Sequence, residues 1–232
     1  TAIYALYAAV VVGVPLGCLA AYKRGKLIDS ILRVVCTLGV SLPGFVVASV
    51  LLVVFCGGIE SLNFFPGTFS PANGIRGYIL PCFCLGLYPM CYIARLTRSS
   101  MLDAINQEYV KTARAKGLKT GKIIFKHALR NALIPVITTV GAQLGILVSG
   151  SVVVETIFGM PGLGSLMMTA INNKDFPIIE GCVLILAALI CIINLVTDLI
   201  YGFVDPRIMA QYTAGKKKKR GPAGEKEGAV HA

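Results

Sequence analysis

The chain has 232 residues, of which 56% are hydrophobic and only 14% charged, and its formal net charge is +11. Soluble domains carry about 25% charged residues; here the charges cluster and leave apolar runs long enough to cross a bilayer, which excludes an ordinary soluble core. Positive charge of this size in a soluble protein would point to nucleic acid, but the basic residues stand in short loops between apolar runs, so a membrane face is expected and no nucleic-acid partner.

In chain order, five spans are predicted, at about 2–22, 31–56, 78–94, 133–154 and 176–203. Together they define an all-α, polytopic transmembrane helical bundle within residues 1–207. The first span runs from Ala2 and ends at Lys23-Arg24-Gly25-Lys26. No charged leader region precedes it and Thr1 is not Met, so a missing start is expected. The second contains Ser41-Leu42-Pro43-Gly44, read as a kink, since neighbouring helices can satisfy carbonyls that a proline frees. The third carries Pro81 and Pro89 and is the shortest. Between the second and third, Gly57–Gly77 reads as interfacial turns. Between the fourth and fifth, Gly159-Met160-Pro161-Gly162 predicts a tight turn into a short amphipathic helix.

Orientation follows from charge. Lys23, Arg24, Lys26 and Arg33 lie in the first inter-span loop, nine more basic residues between Arg95 and Arg130, and seven in the tail from Arg207. Only Arg76 and Lys174 lie in the two alternate loops. Five crossings put the three basic segments on one side, and the positive-inside rule makes that side, with the C-terminus, cytoplasmic. The tail at 208–232 is expected to be disordered; Lys216–Arg220 suits either solvent or anionic lipid headgroups.

The eight cysteines fall in or beside apolar segments with no C-x-x-C pair. They are read as small packing residues; neither a disulfide framework, a metal site nor a cofactor is expected.

The segment at 95–132 is too long for a simple connector. Ser99 or Ser100 is expected to cap a helix that ends at Gly117, with a second helix from about Thr120 toward Arg130. Ala113, Ala115 and Gly117 lack bulk, so another protein could approach the backbone closely there, with Lys111, Arg114, Lys116 and Lys119 suited to an acidic groove. The competing reading is a helix lying on lipid.

Tyr109-Val110-Lys111-Thr112-Ala113-Arg114-Ala115-Lys116-Gly117-Leu118, followed by His127-Ala-Leu-Arg-Asn-Ala-Leu-Ile-Pro135, resembles the coupling region of ABC importer permeases of the dipeptide/oligopeptide/nickel branch. Lys111 and Thr112 stand where the general motif has Glu and Ala, and His127-Ala128-Leu129-Arg130 replaces its I-x-L-P ending; both departures suit that branch. Ala94–Met101, Ser41-Leu42-Pro43, Glu155-Thr-Ile-Phe158, Pro161-Gly-Leu-Gly164, Asp175-Phe-Pro177 and Asp205-Pro-Arg207 fit it in the same order.

The resemblance implies the type I ABC importer permease fold and a B-type permease subunit whose family begins with a further helix and outer segment. It also implies a multi-pass protein of a bacterial or archaeal cytoplasmic membrane. The implied partners are a second homologous permease, two cytoplasmic ATPase subunits, an extracytoplasmic solute-binding protein and membrane lipid. The implied cargo is a di- or oligopeptide, with nickel or another metal chelate as the alternative. The chain has no G-x-x-x-x-G-K-[ST], so ATP hydrolysis is expected from the partners and not from this chain.

Tyr109, Lys111, Thr112, Ala113, Arg114, Ala115, Lys116, Gly117 and Leu118 are the expected ATPase dock, on the loop helix at 108–120. Ser41, Pro43, Gln143, Ser149, Ser151 and Asn194 are candidates for the translocation path, or for helix packing, because polar groups within spans face the bundle interior. Glu155, Asp175 and Glu180 are candidates for contact with a binding protein on the outer side. A channel, a secondary transporter or a membrane-anchored scaffold are rival classes, but no mid-membrane charge or inverted repeat supports the transporters.

Overall fold

A computed structural model describes residues 1–56, 65–117, 121 and 128–204. Among the described residues the regular elements are helical. They are α1 (Ala2–Tyr22), α2 (Leu27–Ser41), α3 (Gly44–Phe55), α4 (Arg76–Ile105), α5 (Glu108–Ala115), α6 (Leu129–Ile157), α7 (Leu163–Asn173) and α8 (Phe176–Val204). Helices α1, α4, α6 and α8 are long and apolar enough to cross a membrane, and α2 with α3 form a pair bent by 104° that passes the same test jointly.

The bend has a local cause. Pro43 offers no N–H to α2, and the residue before a proline is pushed out of helical geometry. Leu42 is accordingly extended, at φ −79° and ψ 126°, and α3 restarts after Pro43. The kink expected at this site is a break between two helices. At 1.5 Å per residue, α2 and α3 are about 22 Å and 18 Å long, so neither covers a 30 Å hydrocarbon core alone.

Helix α4 is the hub. It packs against α1, α2, α3 and α6. Its contact with α1 is close because glycines line it: a Cβ on Gly13 would fall 2.8 Å from the Met90 carbonyl oxygen, and one on Gly17 would fall 2.5 Å from that of Ala94. Small residues four apart let two spans meet backbone to backbone, where apolar driving force from lipid is absent. Ala5, Ala9, Leu80, Leu85 and Ile93 sit in the main core between these helices.

Helix α4 also departs from the sequence expectation. It continues eleven residues past Ala94 to Ile105 without interruption, so Ser99 and Ser100 lie inside it and cap nothing. The continuation is driven by packing: Ala94, Thr97, Met101 and Ala104 recur at helical spacing and are all buried.

On the opposite end, α6 ends at Ile157 and a turn through Gly159, at φ +62°, leads to the short α7. The Met160 N–H closes the turn on the Glu155 carbonyl at 2.8 Å. Helix α8 is the least enclosed: 6% of its most apolar window is buried.

Candidate functional site

Two regions carry the functional candidates: the ridge at residues 108–117 and a cavity between α2–α3, α4 and α6.

The ridge follows α4 after a two-residue break at Asn106 and Gln107, and is the eight-residue helix α5. Val110 is fully buried and anchors it, whereas Tyr109, Thr112, Ala115, Lys116 and Gly117 are exposed. The Thr112 hydroxyl donates to the Glu108 carbonyl at 3.1 Å, which turns it back onto its own helix. Gly117 takes φ +77°, the left-handed geometry that closes helices and that other residues adopt at a cost. A Cβ built there would meet nothing within 4 Å. Backbone geometry therefore favours glycine, and none of the described residues fills the space beyond it. The side chains of Lys111, Ala113 and Arg114, the whole of Leu118, and most of the second loop helix expected from Thr120 lie outside the described residues, as does the basic tail.

An ion pair that sequence reasoning missed ties the extension of α4 to the start of α2. Asp29, at the start of α2, is 1% exposed, and Arg98, on the extension of α4, holds it bidentately. Arg98 Nε donates to Asp29 Oδ1 at 2.6 Å and Nη2 to Oδ2 at 2.9 Å. The Gly25 N–H adds a bond to Oδ2 at 3.1 Å, and the more exposed Arg33 stands at 3.7 Å. Bidentate guanidinium–carboxylate pairs fix geometry as well as charge. In the sequence Arg98 reads as one of the orienting charges between Arg95 and Arg130. The available signal was Asp29, the lone acid among Lys23, Arg24, Lys26 and Arg33.

The cavity, about 460 Å³, is walled by Val40–Phe45 at the break, by Cys84, Leu85, Tyr88 and Pro89 of α4, and by α6 from Gln143 to Val154. Three path candidates meet here: Ser41, Pro43 and Gln143. The Ser41 hydroxyl donates to the Thr37 carbonyl at 2.9 Å. Gln143 is 3% exposed, and its Oε1 has no hydrogen-bond partner among the described residues. Ser149 and Asn194 do not line this cavity. The Ser149 hydroxyl donates to Gly145 at 3.3 Å, that of Ser151 to Val148 at 2.8 Å, and exposed Asn194 stands beside Gly145 at the α6–α8 contact.

Of the three acids expected on the outer side, half-buried Glu155 accepts the Gly164 N–H at 2.9 Å and thereby holds the start of α7. Asp175 caps α8, accepting the Ile178 N–H at 3.4 Å, and Glu180 is exposed on α8.

Among the described residues the structure is a helical bundle of apolar candidate spans, with a bent pair beside a cavity and a short helix at one end. The chain belongs to the family described as binding-protein-dependent transport system inner membrane component, which matches residues 13–210.

Among its relatives is the dipeptide transport system permease protein DppB of Bacillus subtilis (strain 168), 41% identical over 206 residues, covering 88% of this chain and 65% of that protein. The di/tripeptide transport system permease protein DppB of Pseudomonas aeruginosa (strain UCBPP-PA14) is 38% identical over 225 residues, covering 86% and 66%. DppB of Escherichia coli (strain K12) is 37% identical over 231 residues, covering 88% and 68%. The chain thus spans about two thirds of the length of these relatives.

Among solved structures, the MetNI methionine ABC transporter in inward facing conformations contains a chain that superposes with a TM-score of 0.66 at 18% identity, covering 88% of this chain and 91% of that one. An amino acid ABC transporter crystallised with histidines matches at 0.64 and 15%, covering 86% and 89%. The shared fold is that of ABC importer permeases.

Proposed function

We propose that this chain is a permease subunit of an ABC importer of di- or oligopeptides, paired with a second homologous permease. Two cytoplasmic ATPases drive it through α5, and an extracytoplasmic binding protein delivers the cargo. The observation that carries the reading is the helix Glu108–Ala115, anchored by buried Val110 and exposed along Thr112, Ala115 and Gly117, inside a family of binding-protein-dependent transport components. The peptide cargo rests on the names of the dipeptide permeases to which the chain is 37–41% identical.

In this mechanism Tyr109 and residues 111–118 sit in a groove of the ATPase. Closure of the ATPases on ATP carries α5 with it, and α4 follows because only Asn106 and Gln107 separate the two helices. Access then alternates as packed spans rock. Glu155, Asp175 and Glu180 lie on the side where a binding protein would dock, and the first two also hold helix termini there.

The test is ATP-driven dipeptide uptake by proteoliposomes holding the complete transporter. Gly117→Trp is expected to leave basal ATP hydrolysis in place and to abolish uptake. Gly117→Asn, which tolerates left-handed geometry, is expected to retain more uptake than Gly117→Trp, because bulk and not backbone strain blocks the dock. Normal uptake by the Trp variant would overturn the assignment of the ridge.

A further inference from the structure

The exposed surface of α2 has two sides of opposite character. Ser30, Arg33, Thr37 and Ser41 recur at helical spacing and are all exposed. Ile31, Val34, Val35 and Leu38 also recur at helical spacing and are 54–60% exposed. With about 3.6 residues per turn, the two series occupy separate sectors of the helix. Hydrocarbon suits the second series and not the first. Ionisable and polar side chains within a span are costly against lipid and turn to a water-filled space or a polar neighbour.

Helix α4 carries a matching series. Tyr88, Tyr92, Arg95 and Ser99 recur at the same spacing; Tyr92 is half-buried and the other three are exposed. The rings of Tyr88 and Tyr92 stack with centroids 6.2 Å apart, and the Arg95 guanidinium lies 5.9 Å from the centre of the Tyr92 ring.

The two helices run antiparallel, since Asp29 meets Arg98 near the start of α2 and Gly39 lies against the Cys91 sulfur near its end. The two polar series then meet at both ends. Ser41 and Tyr88 line the cavity of about 460 Å³ beside the break. Arg33 and Arg95 line a second cleft, nearer the basic end, of about 10 Å³, which is room for about one water. A shared cavity at one end and a shared cleft at the other place both series on one side of the α2–α4 seam. From Ser41 back to Arg33 the track is about 12 Å long at 1.5 Å per residue. The cleft keeps an excess of positive charge. Arg98 also lines it, and Arg98 and Arg33 share the single carboxylate of Asp29.

We propose that these two series form the inner half of the translocation path, a water-filled lane that takes a peptide from the cavity to the basic side of the membrane. The hydroxyl groups exchange hydrogen bonds with the main-chain groups that every linear peptide shares, so the lane passes cargo of varied side chains. The excess charge at Arg33 and Arg95 draws the peptide carboxylate toward the exit. The inference rests on the reading of the chain as a peptide permease and adds to it the residues that line the way out.

The experiment introduces single cysteines into the complete transporter and treats inside-out membrane vesicles, free of nucleotide, with a membrane-impermeant maleimide. Labelling at each introduced position is read by peptide mass spectrometry, so the native cysteines stay in place. The reagent attacks the thiolate, which forms in water and is suppressed in apolar surroundings. Thr37→Cys and Tyr92→Cys are expected to label at least about tenfold faster than Val35→Cys and Leu38→Cys, which share the depth of Thr37 but lie on the apolar side. Co-purification of the second permease verifies assembly, and the two test positions stand on different helices, so misassembly of one variant leaves the other to decide. The labelled transporters are then reconstituted. Labelled Thr37→Cys is expected to lose ATP-driven dipeptide uptake, while the unsubstituted transporter and Val35→Cys, treated in the same way, keep it.

Equal labelling on the two sides of α2 would overturn the lane. So would the absence of labelling at both Thr37→Cys and Tyr92→Cys in assembled transporter, by showing that another span seals the polar side. Labelled Thr37→Cys with uptake intact would place the water outside the path and overturn it as well. Absence of ATP-dependent peptide uptake in the unsubstituted transporter, with the labelling pattern as expected, would instead sink the underlying function.

Discussion

At the scale of single residues, two contacts have the largest consequences for stability. Asp29 is enclosed by Arg98, Arg33 and the Gly25 N–H. Removing one partner of a buried pair leaves the other charge uncompensated, which costs about 3–5 kcal/mol in deep interiors. Arg98 keeps 19% of its side chain exposed, so Arg98→Ala and Asp29→Ala are expected to cost less, about 2–3 kcal/mol each. Thermal unfolding of the detergent-solubilised complex measures this. The double variant is expected to lose less than the sum of the two, because the second substitution removes a charge already orphaned. Additive losses would show that the two residues act separately. The other contact is Gly17. Its missing Cβ is what admits the Ala94 carbonyl and the Thr97 side chain. Gly17→Ala is expected to destabilise by about 1–3 kcal/mol through overpacking, whereas Gly181→Ala, with open space around it, is expected to be near neutral in the same assay.

Among the elements, the periodic apolar runs were readable, and the errors fell where two signals competed. The broken α2–α3 pair was legible as a kink because Pro43 removes a donor and restrains Leu42, but sequence does not report an angle, and 104° turns a bend into two helices. The helix of the third span runs past the expected end because Arg95 and Arg98 only look like a membrane boundary. The buried series Ala94, Thr97, Met101 and Ala104 carries the helix past that boundary, packed beside Cys18, Ala21, Ala128 and Ala132. The left-handed turn at Gly117 was visible because glycine is the residue that enters it freely. The Asp29–Arg98 pair was not, since its members are 69 residues apart and meet only through the packing of α2 against α4.

At the scale of the molecule, the charge pattern favours one of the two ways in which the bent pair can meet a membrane. Were α2 and α3 to enter and leave on the same side, the segment between α4 and α6 would face outward with Arg95, Arg98, Lys111 and Lys116, against the positive-inside rule. One net crossing by the pair keeps every large basic group on one side. Helix α8 makes the complementary point. Leu184 is 70% exposed and Leu195 61% exposed, on a helix with little of its surface covered by this chain. That surface needs hydrocarbon or another apolar span around it. Leu184→Arg places a charge there at a cost of about 2.5–3.5 kcal/mol for insertion near the helix centre. Its expected outcome is a marked fall in membrane-integrated protein, read by quantitative immunoblot of washed membranes; an unchanged yield would mean that Leu184 sits near a water-filled space.

The close seam between α1 and α4 has a mechanical corollary. Two spans that meet backbone to backbone resist sliding and bending separately, so they behave as one beam. A helix of 30 residues is about 45 Å long. If the beam pivots about its middle by roughly 10°, each tip swings by roughly 4 Å, and the two tips swing in opposite directions. A push delivered at the Ile105 tip thus reappears at the Arg76 tip with its sense reversed. One rotation would widen the bundle at one face while narrowing it at the other.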